Sequence, residues 1–326
     1  MTRPISRRDF VKSSVLVSAT LPLALRAQDS PNPAPAAPAA NSSPTKPQGT
    51  LPAGKITGQE FSRLIMGGNL IGGWSHSRDL PYVSTLMRRY NSPAKIRETL
   101  ELGESLGITA INTWVMDDNS ELFNHRKCGG KMKWFAQARL DAGGGFSQFQ
   151  RAIDEGAAGV HITGDVAEGL LKQGDVEKIA KSVEFIKSQK RIAGVAAHDL
   201  GVIVACEKAK LDVDFYQKTL HTHDYFTAPP AGEKDALGAH DNSWCSDPQA
   251  VVDFMATVKK PWIAFKVLAA GANTPRQAFP YAFNSGADFI LVGMFDWQIA
   301  EDAKLAAQVV RVVAGPNSKR TRPWCA

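Results

Sequence analysis

From residue 56 onward the chain repeats one pattern: a short apolar run, a polar connection, then apolar positions at helical spacing. Apolar runs that predict strands lie at 64–67, 108–114, 132–137, 159–163, 192–198, 214–220, 262–268 and 289–293. Helical spacing between them is clearest at 94–106, 176–188, 200–209, 248–258, 275–284 and 299–313. Ser92-Pro93, Asp247-Pro248 and Thr274-Pro275 each set a capping side chain before a proline in the first turn. Gly107 and Gly286 stand where a helix must end before the next strand. Eight strands alternating with helices predict an α/β fold, the (β/α)8 TIM barrel. An open doubly wound sheet is the competing architecture, but no Gly-x-Gly-x-x-Gly turn follows the first strand.

A barrel of this kind gathers its chemistry at the C-terminal ends of the strands. The seven histidines sort accordingly: His76 follows the first strand, His125 the second, and His161 lies within the fourth. His198 ends the fifth, and His221, His223 and His240 follow the sixth. Alternation of facing sides sharpens the reading. It groups Asn112 with Ala110 and Trp114, turns His161 and Thr163 inward, and pairs His198 with Ala196. In the seventh strand, Ile263, Phe265 and Val267 form an outward apolar stripe that leaves Lys266 pointing inward. A buried ammonium must pair, lose its proton or meet a ligand, so Lys266 is a candidate catalytic lysine, with an internal ion pair as the alternative.

His221-x-His223 has the spacing of two metal ligands on an extended segment, and His198 or Asp224 would supply a third. The simpler alternative is that these imidazoles hydrogen-bond substrate or loop backbone. Lys218, Asp241, Asn242 and Cys245 are weaker candidates, and Lys218 falls on the opposite side of its strand from His221. The connection at 221–246 is long enough to be a lid or binding element. Trp74, Trp114, Trp244 and Trp297 fall at or beyond strand ends, where an indole either stacks on a sugar or packs. Asp296 follows the last strand and joins Trp114 and Trp244 as a candidate substrate contact. Segments 269–274 and 293–296 carry only a weak phosphate signal, having few glycines and no basic residue.

The N-terminal stretch changes where this chemistry is expected to happen. Ser6-Arg7-Arg8-Asp9-Phe10-Val11-Lys12, an uncharged run over 13–25 and Leu25-Arg26-Ala27 form a twin-arginine (Tat) export signal covering 1–27. The run is too short to span a bilayer, and no cysteine precedes Cys128 to take a lipid. The reading predicts a periplasmic or secreted protein, with the Tat translocase as its partner during export and no stable membrane anchor. Removing the signal takes a net charge of +6 to about +2, so basicity makes no case for nucleic acid. Residues 28–50 hold six prolines among small polar residues and predict a disordered tether, with the barrel domain at 51–326. Four irregularly spaced cysteines form no disulfide framework, and after export the one candidate bridge is Cys128–Cys245.

Phe61-Ser62-Arg63-Leu64-Ile65-Met66-Gly67-Gly68 and Gly107-Ile108-Thr109-Ala110-Ile111-Asn112-Thr113 resemble the first two strands of the aldo/keto reductases. That resemblance implies a barrel and a nicotinamide cofactor, NAD(P). Aligned on Gly107-Ile108, Asn112 holds the family's aspartate position and Asp117 its tyrosine position. The lysine position falls near Ala136 or Gln137, and His161 approximately matches the histidine. Three of four catalytic positions are therefore changed, which removes the usual tyrosine acid. The resulting expectation is an exported enzyme using proton-transfer chemistry, of lyase, isomerase or hydrolase type, on a small sugar, polyol or carbonyl compound. Lys266 would stabilise an oxyanion or form a Schiff base, His198 or His221 would be the base, and Asn112 and His161 would orient substrate. A divalent metal on His198, His221 and His223 is optional. The alternatives are a reductase retaining its nicotinamide and a non-catalytic periplasmic ligand-binding barrel.

Overall fold

The computed structural model describes residues 51–77, 80–115, 119–230, 233 and 237–326. The export signal and tether expected at 1–50 lie outside the described residues, as does Asp117. Eight parallel strands close into a barrel: β3 (Leu64–Gly67), β4 (Ala110–Trp114), β5 (Lys133–Ala138), β6 (Gly159–Ile162), β7 (Ile192–Ala197), β8 (Phe215–Thr219), β9 (Trp262–Phe265) and β10 (Phe289–Gly293). The last pairs back onto β3, with Val292 opposite Met66. Two short strands, β1 (Ala53–Ile56) and β2 (Gln59–Ser62), precede the barrel as an antiparallel hairpin.

Helices follow the strands in alternation. They are α1 (Tyr82–Tyr90), α2 (Pro93–Ser105), α3 (Ser120–Lys127), α4 (Ser147–Asp154), α5 (Gly164–Lys172), α6 (Val176–Ser188), α7 (Leu200–Lys208), α8 (Pro248–Met255), α9 (Pro275–Asn284) and α10 (Asp296–Val313). The capping chemistry performs as the sequence implies. Ser92 Oγ accepts from the Lys95 amide at 3.3 Å, Asp247 Oδ1 from Ala250 at 2.9 Å, and Gln277 Oε1 from Thr274 at 3.2 Å. Two connections depart from simple alternation by carrying a second helix: α1 precedes α2 after β3, and α5 precedes α6 after β6. No helix among the described residues is long and apolar enough to cross a membrane.

Two apolar layers show which side each strand residue faces. Ile65, Ala110, Phe135, Ile192, Phe215, Ile263, Phe289 and Leu291 pack with Ile56 and Phe61 of the hairpin, inside the barrel at its floor. Their strand neighbours, among them Ile111, Val160, Ile162, Val195, Ala197, Trp262 and Ala264, pack outward against the helices. Room for Phe135 and Phe215 comes from Gly159 and Gly194, where an added Cβ would fall within 2.7 and 2.2 Å of those rings. Burying each of these rings contributes on the order of 3 kcal/mol.

The floor is closed by charge as well. Asp288, fully buried, accepts from Arg320 at 2.9 Å, from Arg322, and from the amides of Trp262 and Cys325 at 3.0 and 2.9 Å. Arg63 donates to the Asp288 carbonyl, and its guanidinium lies 3.8 Å from the Trp324 ring centroid. These contacts pin the C-terminal segment beneath the barrel. All four cysteines are free thiols, Cys128 exposed and Cys245 buried, so the candidate bridge between them is not formed.

Candidate functional site

Inward alternation on β4, β6 and β8 brings three polar side chains together above the apolar floor. Asn112 Nδ2 lies 3.0 Å from His161 Nε2 and 2.9 Å from Gln217 Oε1. The other histidine nitrogen, Nδ1, lies 3.2 Å from the Ile162 carbonyl, so Nδ1 carries the proton and Nε2 accepts. Burial pushes the His161 imidazole down to about 4, which keeps it neutral. Asn112 and His161 are 1% and 0% exposed and hold one another, so neither lines the mouth as a substrate contact. The buried Asn112 Oδ1 has no partner, which leaves one acceptor of this layer unmatched.

Lys266 reaches the mouth by a route that strand alternation does not anticipate. Ile263 belongs to the inward layer while Trp262 and Ala264 face the helices, the reverse of the stripe expected from the sequence. On a continuous strand Lys266 would therefore point outward. Instead β9 stops at Phe265, and Lys266 has φ 55° in the left-handed region. That break sets its Nζ 2.6 Å from His76 Nε2 and 4.4 Å from the Trp244 ring centroid. His76 Nδ1 lies 3.1 Å from Asp241 Oδ1. The carboxylate accepts a hydrogen bond from Nδ1–H, so Nε2 presents its lone pair to the lysine ammonium. Asp241, His76 and Lys266 thus form a chain drawn from three separate connections.

His198 stands on the same indole. Its ring lies 4.7 Å from Trp244 and 5.4 Å from Phe265, centroid to centroid. Glu168 of α5 accepts at one oxygen from the backbone amides of His198 and Asp199, at 2.5 and 3.0 Å, and from His198 Nδ1 at 3.1 Å. Burial lowers the His198 imidazole below its ordinary value; the Glu168 hydrogen bond opposes this, while the charges of Lys266 and Lys218 add to it. The product is a neutral imidazole with Nδ1–H tied to a carboxylate and Nε2 left as the basic atom.

The remaining candidates are placed differently. His221 is fully buried with both nitrogens bound to backbone: Nδ1 donates to the Thr222 carbonyl at 3.1 Å, and Nε2 accepts from the Trp244 amide at 3.1 Å. Burial pushes it down to about 4, so it positions Trp244 and is no base. His223 Nε2 donates to the Cys245 carbonyl at 2.6 Å. The metal site expected on His198, His221 and His223 is therefore not assembled, and no group of three metal-ligating side chains occurs among the described residues. Asp296 opens α10 and is held by Tyr90 Oη at 2.6 Å and Lys95 Nζ at 3.0 Å, outside the His198–Lys266 cluster. Trp114 lies at the end of β4 with the Arg139 guanidinium 5.9 Å from its ring. His125 departs from the expected sorting: it lies in the last turn of α3, paired with Glu104 at 2.6 Å.

Lys218 faces the helices, flanked in register by Ala197 and Ala264, whose small side chains leave it space. Fully buried, it donates to Thr219 Oγ1 at 2.7 Å and to the Thr219 carbonyl at 3.0 Å. Thr219 Oγ1 in turn donates to the His198 carbonyl at 3.2 Å. Glu168, central to the site, carried no motif, and His76 was marked only by its place after the first strand.

No family model matches the sequence, and no curated protein matches it. Among solved structures, the chain is similar to a mandelate oxidase variant holding a C4a-OH-FMN adduct, with 12% identity and a TM-score of 0.50. That match covers 88% of this chain and 85% of the other. A sialic acid synthetase from Leptospira borgpetersenii serovar Hardjo-bovis, crystallised with citrate, matches at 9% identity and a TM-score of 0.46, over 83% and 93% of the two chains. At such identity the first likeness shows the fold and nothing finer: an eight-stranded parallel β/α barrel.

Proposed function

We propose that this barrel is an enzyme that moves a proton next to a carbonyl in a small oxygenated substrate, as an isomerase or lyase. One observation carries the reading: a neutral, carboxylate-oriented imidazole and a fixed ammonium stand against the same indole, 4.7 and 4.4 Å from its ring. The apolar face of the substrate would lie on Trp244. His198 Nε2 takes the proton from the carbon beside the carbonyl, and the Lys266 ammonium stabilises the enolate oxygen that forms. Where the deprotonated carbon bears a hydroxyl, returning the proton to the former carbonyl carbon while the hydroxyl proton passes to the enolate oxygen completes an isomerisation. Where the carbon beyond it bears a leaving group, departure of that group with the electron pair completes an elimination. His76, held by Asp241, keeps Lys266 at the mouth by accepting a hydrogen bond from its ammonium.

A nicotinamide or flavin does not fit the two connections where barrels of this class seat a phosphate. At the start of α10 the Asp296 carboxylate already occupies the positive helix end, and Gln298 Oε1 takes the Phe295 amide at 2.9 Å. At the start of α9 Gln277 closes on Thr274. The reductase aspartate position on β4 holds Asn112 and the lysine position on β5 falls near Ala136 or Gln137, none of which can supply the charge that tunes the family's tyrosine acid. With the export signal read at 1–27, the proposal puts this reaction in the periplasm or outside the cell.

The test is solvent-deuterium incorporation, followed by NMR, across hydroxyaldehydes, ketoses and 2-oxo acids. Exchange at one carbon by the wild type, lost in both Lys266→Met and His198→Gln, supports the assignment. Exchange that survives either substitution overturns it.

A further inference from the structure

Helix α1 carries more apolar surface than the barrel covers. Val83 and Met87 turn toward the fold, yet Tyr82, Leu86 and Tyr90 remain 61, 58 and 43% exposed. Their four-residue spacing lines them along one side of the helix. Beside that stripe, Val83, Leu86, Met87, Tyr90, Phe295 and Trp297 line an apolar cavity of about 280 Å3. Trp297 stacks on Phe295 at 5.8 Å and is itself 67% exposed. Tyr82, Leu86, Tyr90 and Trp297 together leave on the order of 500 Å2 of side-chain surface uncovered, the size at which apolar patches mark contact sites.

We propose that this face pairs two copies of the chain, α1 against α1 in antiparallel, about a two-fold axis passing Leu86. The stripe reads Tyr–Leu–Tyr in either direction. An antiparallel partner therefore sets Leu86 on Leu86 and Tyr82 on Tyr90, which is the self-complementarity an isologous interface requires. Charge favours the same direction: Arg88 and Arg89 occupy the last turn, so antiparallel packing separates the two basic ends that parallel packing would oppose. The polar edge is already satisfied, with the Tyr90 hydroxyl and Lys95 ammonium both on Asp296. Complete burial of two such patches would cover about 1,000 Å2, the lower bound for a specific interface before a polar rim is added. The face lies on the first strand-to-helix connection, the one that carries His76.

Sedimentation equilibrium of the purified full chain, at tens of micromolar, should give a dimer mass. Leu86→Arg should give a monomer with unchanged far-UV circular dichroism, since Leu86 packs no core. In a Cys128→Ser/Cys325→Ser background, Leu86→Cys should cross-link to itself under mild oxidation. Tyr82→Cys should cross-link only when mixed with Tyr90→Cys. A monomer at every concentration, a dimer that survives Leu86→Arg, or self-linking of Tyr82→Cys overturns the proposal. So does a monomeric chain that binds phospholipid vesicles through this face instead.

Discussion

Asp288 at the floor is a fully buried carboxylate and Glu168 at the mouth a half-buried one, and the fold treats them in opposite ways. Asp288 meets two guanidiniums, Arg320 and Arg322, and two backbone amides, so its charge is matched on every side. Glu168 meets two amides and a neutral imidazole. Burial alone would raise its carboxyl, but the hydrogen bonds from His198 and Asp199 carry it below the usual value. The floor uses charge to fix the chain, whereas the mouth leaves charge answered mainly by dipoles and a titratable ring. An arrangement of the second kind gains little stability and retains a group able to exchange protons.

The largest effect should therefore appear at the floor. Asp288→Asn keeps the shape but leaves Arg320 and Arg322 without a counter-charge, and should cost about 3–5 kcal/mol in denaturant unfolding. Burial already pulls Arg320 down to about 10 despite the carboxylate, which shows how poorly that site holds an unmatched cation. Loss below about 1 kcal/mol would erase the contrast between the two ends. At the mouth the balance reverses. Lys266→Met and His198→Gln should each lower kcat/KM by about 10²–10⁴-fold while shifting stability by less than about 1 kcal/mol. Because burial holds His198 below its ordinary value, the acid limb of kcat/KM should lie at lower pH than an ordinary histidine would set it.

The barrel was legible because its information is local. Strands 64–67 and 289–293 and helices 176–188 and 275–284 keep in the structure the bounds that apolar period and capping residues assign them. The site was legible only by location. His76 and His198 fall in the right connections, but the partners that give them chemistry, Asp241 and Glu168, lie 165 and 30 residues away in sequence. No spacing rule reaches that far. Lys266 shows a second limit. Its position at the mouth follows from one left-handed residue that ends β9, and apolar alternation carries no record of such a break. His221-x-His223 shows a third, because ligand spacing is also the spacing at which two rings can staple a loop to its own backbone.

Asp302 of α10 lets the comparison be sharpened away from both ends, as a buried carboxylate with neither guanidinium nor imidazole. Its Oδ2 has no partner, and burial, with Glu301 beside it, pushes the acid up to about 6. The folded state thus holds this proton more tightly than the unfolded chain does. Stability should fall as pH rises from about 4 to about 6, then stay lower by about 1–2 kcal/mol. Asp302→Asn should recover that amount at pH 7 and change little below pH 4, measured as paired urea curves. A gain that is equal at both pH values would assign the effect to packing.

The smallest effect separates the two lysines on neighbouring strands. Lys266 stands at the mouth on His76, while Lys218 is sealed in the helix-facing layer on Thr219 alone, and burial lowers its ammonium. A cation disfavoured by the fold costs stability at neutral pH, so Lys218→Met should leave the unfolding midpoint unchanged or slightly higher. Its charge also reaches His198, where it opposes protonation. Removing it should raise the His198 ring titration followed by NMR, and move the acid limb of kcat/KM to higher pH in step. Lys266→Met should raise the same titration further, since its charge ranks ahead of Lys218 among the influences on that ring. If His198 titrates identically in all three proteins, the mouth is insulated from both lysines, and its neutral imidazole follows from burial alone.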